Sequence, residues 1–198
     1  MDIVIATSNA HKVAEFQRLL RPSVITFHTA ATIGGMPPVE ETGTSFMENA
    51  RLKALALRQA VLRPGPILAD DSGLEVDSLN GRPGIHSARY AGPGADDAAN
   101  RARLLEELSG IPYEDRTARF RCALCLLMPD GSALETTGTV EGWIALAPAG
   151  ATGFGYDPLF IAESYATTFA QLSPQQKDLV SHRSRALRGL TEKLGLPA

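Results

Sequence analysis

The apolar run Ile67-Leu68-Ala69 leads straight into Asp70-Asp71-Ser72-Gly73, and this junction constrains the fold more than any other feature. Burying a charge is costly unless a cation or hydrogen bonds compensate it. Side chains alternate along a strand, so the two carboxylates leave on opposite faces and only one needs to face a site. An acidic β-turn is the bland reading. The functional reading is a metal-binding carboxylate at the end of a buried strand. Magnesium takes one or two carboxylates, several waters and substrate phosphate oxygens, and Glu41 with one of these aspartates meets that need.

The rest of the chain supplies a sheet for that strand. Residues 3–6 form a short apolar run, followed by a helical pattern with Val13, Phe16, Leu19 and Leu20 on one side. A second strand is expected near 24–27, and 30–41, with Gly34, Gly35, Pro37 and Pro38, reads as loop. Ser45 and Glu48 form a capping box for a helix whose Met47, Ala50, Ala54, Leu57 and Val61 recur at helical spacing, and Pro64-Gly65-Pro66 stops it. An extended piece is expected to begin again at 74–76. A third helix is expected over 96–108, and strands over 118–128 and 132–145 form a hairpin around Pro129-Asp130-Gly131. Ser173-Pro174 with Gln176 starts a short helix, and Leu187, Leu190 and Leu194 mark the last one. Helices and strands alternate early while the late strands pair as a hairpin, which predicts a mixed α/β sheet in a single domain over 1–198.

Composition excludes several partners. Nineteen basic against twenty-two acidic residues give a net charge of −3, which argues against a protein that coats nucleic acid through a broad cationic surface. The N-terminus has no basic segment before a long apolar stretch, and the longest apolar run, 122–128, is far short of the roughly 20 residues a membrane helix needs. A cytoplasmic protein without membrane contact is the expectation. Cys122 and Cys125 lie three apart on a strand and so point to opposite faces. They read as two core cysteines rather than a disulfide or zinc pair.

Four further segments carry chemistry. Thr7, Ser8, Asn9, Ala10, His11 and Lys12 lie between a strand and a helix, where free N–H groups and the helix dipole favour an anion. A plain N-cap at Asn9 is the alternative. Glu40-Glu41-Thr42-Gly43 precedes a helix on which Asn49 and Lys53 share a face, a set able to hold a metal-bound polyphosphate or merely a solvated surface. Phe154, Gly155, Tyr156 and Asp157 suit stacking on a flat ring and accepting from its N–H groups, or else plug the core. Lys177, His182 and Arg183 cluster near the start of the last helix, where the dipole disfavours cations unless an anion or acceptor arrives.

With these segments in order, the chain resembles the inosine triphosphatase-like family of noncanonical purine nucleoside triphosphate pyrophosphatases. The resemblance covers nearly the whole chain. It rests on Thr7-Ser8-Asn9 with Lys12, Glu40-Glu41-Thr42-Gly43 with Glu48-Asn49-Ala50, and Ala69-Asp70-Asp71-Ser72-Gly73-Leu74. It continues through Pro83-Gly84-Ile85, Ser87-Ala88-Arg89-Tyr90, the 153–158 loop and Ser181-His182-Arg183. The resemblance implies a mixed sheet flanked by helices in two lobes with an active-site cleft, and a homodimer. It implies hydrolysis of inosine, deoxyinosine or xanthosine triphosphate to the monophosphate and pyrophosphate with Mg2+ as cofactor. It also implies phosphate contacts from 7–12 and Lys53, metal ligation by Glu41 and Asp71, and Asp71 as the base that activates water. Ser72 would touch the substrate, and Phe154, Gly155, Tyr156, Asp157, Lys177, His182 and Arg183 would line the base pocket. Ser8, where glycine is frequent, and His11, where a small or basic residue is usual, depart from the family pattern, and His11 could alter phosphate affinity near neutral pH. A pyrophosphatase for pyrimidine or modified nucleotides and a nucleotide sensor without turnover are the rival readings.

Overall fold

The computed structural model describes residues 1–19, 25–61 and 65–196. Its strands are β1 (Asp2–Ile5), β2 (Thr26–Thr29), β3 (Ile67–Val76), β4 (Thr117–Leu127), β5 (Ala133–Ile144) and β6 (Phe160–Ala162). Its helices are α1 (Ala10–Leu19), α2 (Phe46–Ala60), α3 (Asp97–Glu107), α4 (Pro174–Val180) and α5 (His182–Lys193). The strands form one sheet in the order β2-β1-β3-β4-β5-β6. β1 runs parallel to β2 and β3, while β5 and β6 are antiparallel, so the sheet is mixed as expected. Two compact units divide the chain. One holds Met1–Asp71, Cys122–Gly138 and Arg183–Ala198, the other Ser72–Arg121 and Thr139–His182.

In the first unit the sheet is packed on both faces. Ile3, Ile5, Leu68, Cys122, Leu124 and Leu126 meet Phe16 of α1 and Ala186, Leu187 and Leu190 of α5. On the opposite face Ala6, Ile67, Ala69, Cys125 and Leu127 meet Ala50, Ala54 and Leu57 of α2. Strand alternation alone sorts these residues, and it separates the two free, buried cysteines onto opposite faces. Small residues on α2 let that helix lie close to the strands. The second unit has one core cluster, in which Leu74, Leu104, Phe120, Phe160 and Phe169 are central.

Several local expectations change. β3 is one continuous strand through Asp70-Asp71-Ser72-Gly73 rather than a strand, a break and a new extended piece, so the acidic-turn reading fails. The expected loop 30–41 opens with a 3-10 turn at Ala30–Ile33. Ser45 caps α2, but the Glu48 carboxylate accepts from the N–H and hydroxyl of Thr44, one residue ahead of the expected box partner. The second strand begins at Thr26, and Leu20, Val24 and Pro64 lie outside the described residues.

Candidate active site

The first unit gathers its charges where β3 passes between the helices. Alternation sends Asp70 toward α1 and α5 and Asp71 toward α2. Asp70, with a fully buried side chain, accepts from Lys12 Nζ at 2.8 Å and lies 3.8 Å from Arg183 Nε. Burial pushes its carboxyl up, yet the charges of Lys12, Arg183 and Lys53 outweigh that and bring it down to about 2. Arg183 Nη1 also donates to Glu15 Oε2 at 2.8 Å, so its guanidinium lies between carboxylates from α1 and β3.

Asp71 sits in a different environment. Lys53 Nζ donates to its Oδ1 at 2.8 Å and lies 3.3 Å from Glu41 Oε1. Asn49, wholly buried, donates its amide to Asp71 Oδ2 at 3.2 Å and accepts from Gly43 N–H at 2.9 Å. A Cβ at Gly43 would lie 2.6 Å from Asn49 Oδ1, which explains why the loop carrying Glu41 has glycine there. Burial raises the Asp71 carboxyl from its ordinary value despite the opposing charge of Lys53. Burial alone would lower Lys53, but Asp70, Asp71 and Glu41 hold it above its ordinary value. Adjacent aspartates are thus driven in opposite directions by the faces they occupy.

Glu41 and Asp71 already converge on one cation, the Lys53 ammonium. No group of three or more His, Cys, Asp or Glu side chains able to hold a metal occurs among the described residues. A pair of carboxylates suits a magnesium ion whose remaining ligands are waters and phosphate oxygens, and does not suit a permanently caged metal.

In the 7–12 segment the N-cap at Asn9, one of the two readings of the sequence, is formed. Asn9 Oδ1 accepts from the N–H groups of His11 and Lys12 at 2.9 and 3.2 Å, and Thr7 Oγ1 accepts from Asn9 N–H at 3.1 Å. The first turn of α1 is therefore capped by its own Asn9 rather than left with free donors at those positions. Ser8, Ala10 and His11 are exposed.

The second unit carries the aromatic segment. Lys177 Nζ donates to Asp157 Oδ2 at 2.6 Å, with both side chains buried, and the same oxygen accepts from Phe154 N–H at 2.9 Å. The Lys177 ammonium lies 5.2 Å from the Phe154 ring centroid and 5.7 Å from that of Phe169. A Cβ at Gly153 would meet Asp157 Oδ2 at 2.1 Å, so glycine is required there. Gly155 donates to Asp97 and accepts from Arg101. Tyr156 takes the core-plugging alternative: it belongs to the core cluster, and its hydroxyl donates to the Ser87 carbonyl at 2.9 Å. Burial raises that phenol well above its ordinary value. His182 is buried and stacks on Phe120, with centroids 4.8 Å apart. Ser72 is half-buried on β3.

The residues missed from sequence are the partners. Asn49 was visible on the Lys53 face, but its grip on Asp71 was not. Glu15 could have been suspected, since three residues after Lys12 it shares that helix face. Nothing local marked Asp97 or Arg101.

The comparisons with known proteins agree over the whole length. The model of the Ham1 family matches residues 3–193. The dITP/XTP pyrophosphatase of Geobacillus kaustophilus is 48% identical over 192 residues, covering 97% of this chain and 93% of its own. That of Bacillus subtilis is 47% identical over 193 residues, covering 98% and 96%. Among solved structures, the Staphylococcus aureus Ham1 protein aligns with a TM-score of 0.86 at 41% identity, covering 98% of both chains. Matches of this length and identity, on a chain with this sheet and these charged strand residues, leave one assignment: the chain belongs to the Ham1 family.

Proposed function

We propose that this chain is a pyrophosphatase for noncanonical purine nucleoside triphosphates, converting inosine, deoxyinosine and xanthosine triphosphates to the monophosphate and pyrophosphate. The observation that carries the reading is the Glu41–Lys53–Asp71 cluster beside the buried Asp70–Lys12 pair. It combines a cation-binding carboxylate pair, two ammonium groups for phosphate charge, and a carboxyl, that of Asp71, raised above its ordinary value by burial. The names of the relatives supply the substrate class.

Glu41 and Asp71 would hold Mg2+, which when bound neutralises phosphate oxygen charge and leaves phosphorus open to attack. Asp71 accepts a proton from the attacking water. Its raised carboxyl makes it a better base than an exposed aspartate, because general bases work best when their pKa approaches the working pH. Water oxygen bonds to the α-phosphorus, the α–β bridging bond breaks, and pyrophosphate leaves. Lys12 and Lys53 offset charge on the leaving phosphates, and Thr7, Ser8, Asn9, Ala10 and His11 line their approach. Ser72 contacts the substrate beside Asp71.

Phe154, Gly155 and Asp157, with Lys177 and His182, take the base, while Arg183 braces Asp70 and Glu15 in the first unit. Donors facing the 6-keto oxygen are left unpaired by adenine's amino group, at a cost of about 1–3 kcal/mol for each. Tyr156 acts here by fixing the loop to Ser87. The chain works as one catalytic domain over 1–198 and, by family resemblance, as a cytoplasmic homodimer. Among the described residues no helix is long and apolar enough to cross a membrane.

A panel of triphosphates incubated with magnesium, with pyrophosphate and orthophosphate measured separately, tests the reading. Turnover of uridine or thymidine triphosphate with little turnover of inosine triphosphate overturns the substrate class. No product from any nucleotide overturns catalysis.

A further inference from the structure

We propose that Asp97 and Arg101 of α3 are positioning residues for base recognition, clamping the peptide units on both sides of Gly155. The inference rests on the reading that Phe154, Gly155 and Asp157 receive the base. Gly155 N–H donates to Asp97 Oδ2 at 2.6 Å, and Arg101 Nη1 donates to the Gly155 carbonyl at 2.8 Å. Residues four apart share a helix face, so α3 presents one acceptor and one donor to the two polar groups of a single residue.

The loop needs such an anchor. Gly153 and Gly155 both have positive φ, +78° and +59°, in the left-handed region that glycine enters freely. The same freedom makes glycine the residue that loses most conformational entropy when fixed. The neighbours on either side are held by different means. Phe154 N–H is bound by Asp157, and Tyr156 reaches the Ser87 carbonyl. The Phe154 carbonyl accepts from Asp157 N–H at 3.2 Å, and the α3 contacts add a hold on the N–H of the 154–155 peptide and on the carbonyl of the 155–156 peptide. That hold restrains the backbone directly after Phe154, whose ring centroid lies 5.2 Å from the Lys177 ammonium.

Asp97 is exposed and Arg101 half-buried, and neither belongs to the core cluster. The N-cap of α3 is Asp96, whose side chain accepts from Ala99 N–H, so the helix keeps its cap without Asp97. Releasing the clamp should therefore disturb recognition while leaving the Lys53–Asp71 chemistry alone.

The test compares Asp97→Ala, Arg101→Ala and the double variant with the unaltered enzyme, using inosine and adenosine triphosphates. The double variant is expected to raise KM for inosine triphosphate about tenfold and to lower the inosine-to-adenosine ratio of kcat/KM about tenfold. Its kcat should stay within about twofold of the unaltered value. By calorimetry, inosine monophosphate binding weakens in parallel and pyrophosphate binding does not. Asp97→Asn, which keeps an acceptor oxygen, recovers most of the loss. Unchanged KM and ratio overturn the proposal. So does a uniform fall in kcat and pyrophosphate binding that Asp97→Asn fails to relieve, which is the mark of general destabilisation. Phe154→Ala, assayed alongside, separates the two levels. If it too leaves the ratio unaltered, the base-site reading fails and takes the clamp with it. If it lowers the ratio and the clamp variants do not, the clamp alone is wrong.

Discussion

The two units solve the same problem, holding charge inside a small protein, in different ways. In the first unit helices cover both sheet faces, and the buried charges sit on a strand that reaches cations from each side. In the second unit the core lies on one face. The other presents Glu75, Arg119, Arg121 and Glu141, whose side chains are paired with one another and partly solvated. The difference teaches where chemistry can be placed. A carboxylate shielded from water can be driven up or down by its neighbours, as Asp71 and Asp70 are. A carboxylate in contact with water cannot be moved far, because solvent screens its partners. On the proposed function, the bond-breaking chemistry is placed in the doubly covered unit, where Asp71 and Asp70 lie. The singly covered unit offers aromatic surface and anchored backbone, the materials of recognition.

The largest expected effect tests that division directly. Asp71→Asn keeps the shape and the Asn49 contact region but removes the proton acceptor. It should lower kcat about 10³-fold while leaving KM for inosine triphosphate within a few-fold of normal. Steady-state kinetics with calorimetric nucleotide binding checks it, and near-normal turnover would remove Asp71 as the base.

In the second unit the corresponding experiment is Lys177→Met. It removes the buried cation from Asp157, which keeps the Phe154 N–H, and the side-chain exposures of the pair are only 7% and 4%. Breaking a buried pair from one side costs about 3 kcal/mol of stability, seen as a lower urea midpoint. The variant should raise KM with little change in kcat at saturating substrate. If kcat fell as far as in Asp71→Asn, the separation of chemistry from recognition would be lost.

A third variant sharpens the account of how Asp71 is held. Asn49→Ala removes the link between Asp71 and Gly43, and with it the tie to the loop that carries Glu41. Groups that orient a metal-binding carboxylate typically change affinity or activity by about 10–100-fold. The expectation is a fall near the lower end in kcat, with a higher magnesium concentration needed for half-maximal rate. A magnesium dependence identical to that of the unaltered enzyme would confine Asn49 to folding.

How much of this was legible in the sequence depended on distance along the chain. The α2 stripe of Ala50, Ala54 and Leu57 follows from helical spacing, and the opposite destinations of Asp70 and Asp71, like those of Cys122 and Cys125, follow from alternation. Patterns of that kind are local, so the sequence writes them openly. The partners of those residues are not local. Asp70 is met by Lys12 and Arg183, which come from opposite ends of the chain. Arg116, buried in the second unit, donates to the carbonyls of Ile111 and Leu108 and reads in sequence as one more surface arginine. For the capped first turn of α1 and the core position of Tyr156 the sequence leaves two readings open, and only packing decides between them. A tyrosine flanked by glycine and aspartate has the same local signature whether its ring faces a ligand or a carbonyl in the core.

The smallest expected effect lies on the solvated face and bounds the comparison from below. Arg119 donates to Asp77 at 2.8 and 3.0 Å and to Glu141 at 2.9 Å, good geometry for several charge-assisted bonds. Yet Asp77 and Glu141 are 44% and 45% exposed, so water competes for each bond and side-chain ordering offsets part of the gain. Arg119→Met should cost about 1 kcal/mol or less, with kcat and KM unchanged. Hydrogen bonds from Arg119 and Thr117 hold the Asp77 carboxyl below its ordinary value. A depressed carboxyl contributes stability above its unfolded pKa of about 4 and loses it as pH falls through the lower folded value. The gap between the two proteins should therefore be full at neutral pH and close as the pH drops below about 4. Salt should narrow it as well, because exposed pairs are screened. Denaturant titrations across pH and salt measure both trends. A gap of several kcal/mol that persisted in acid and high salt would mean this face is as shielded as the first unit's strand, and the contrast between the two units would fall.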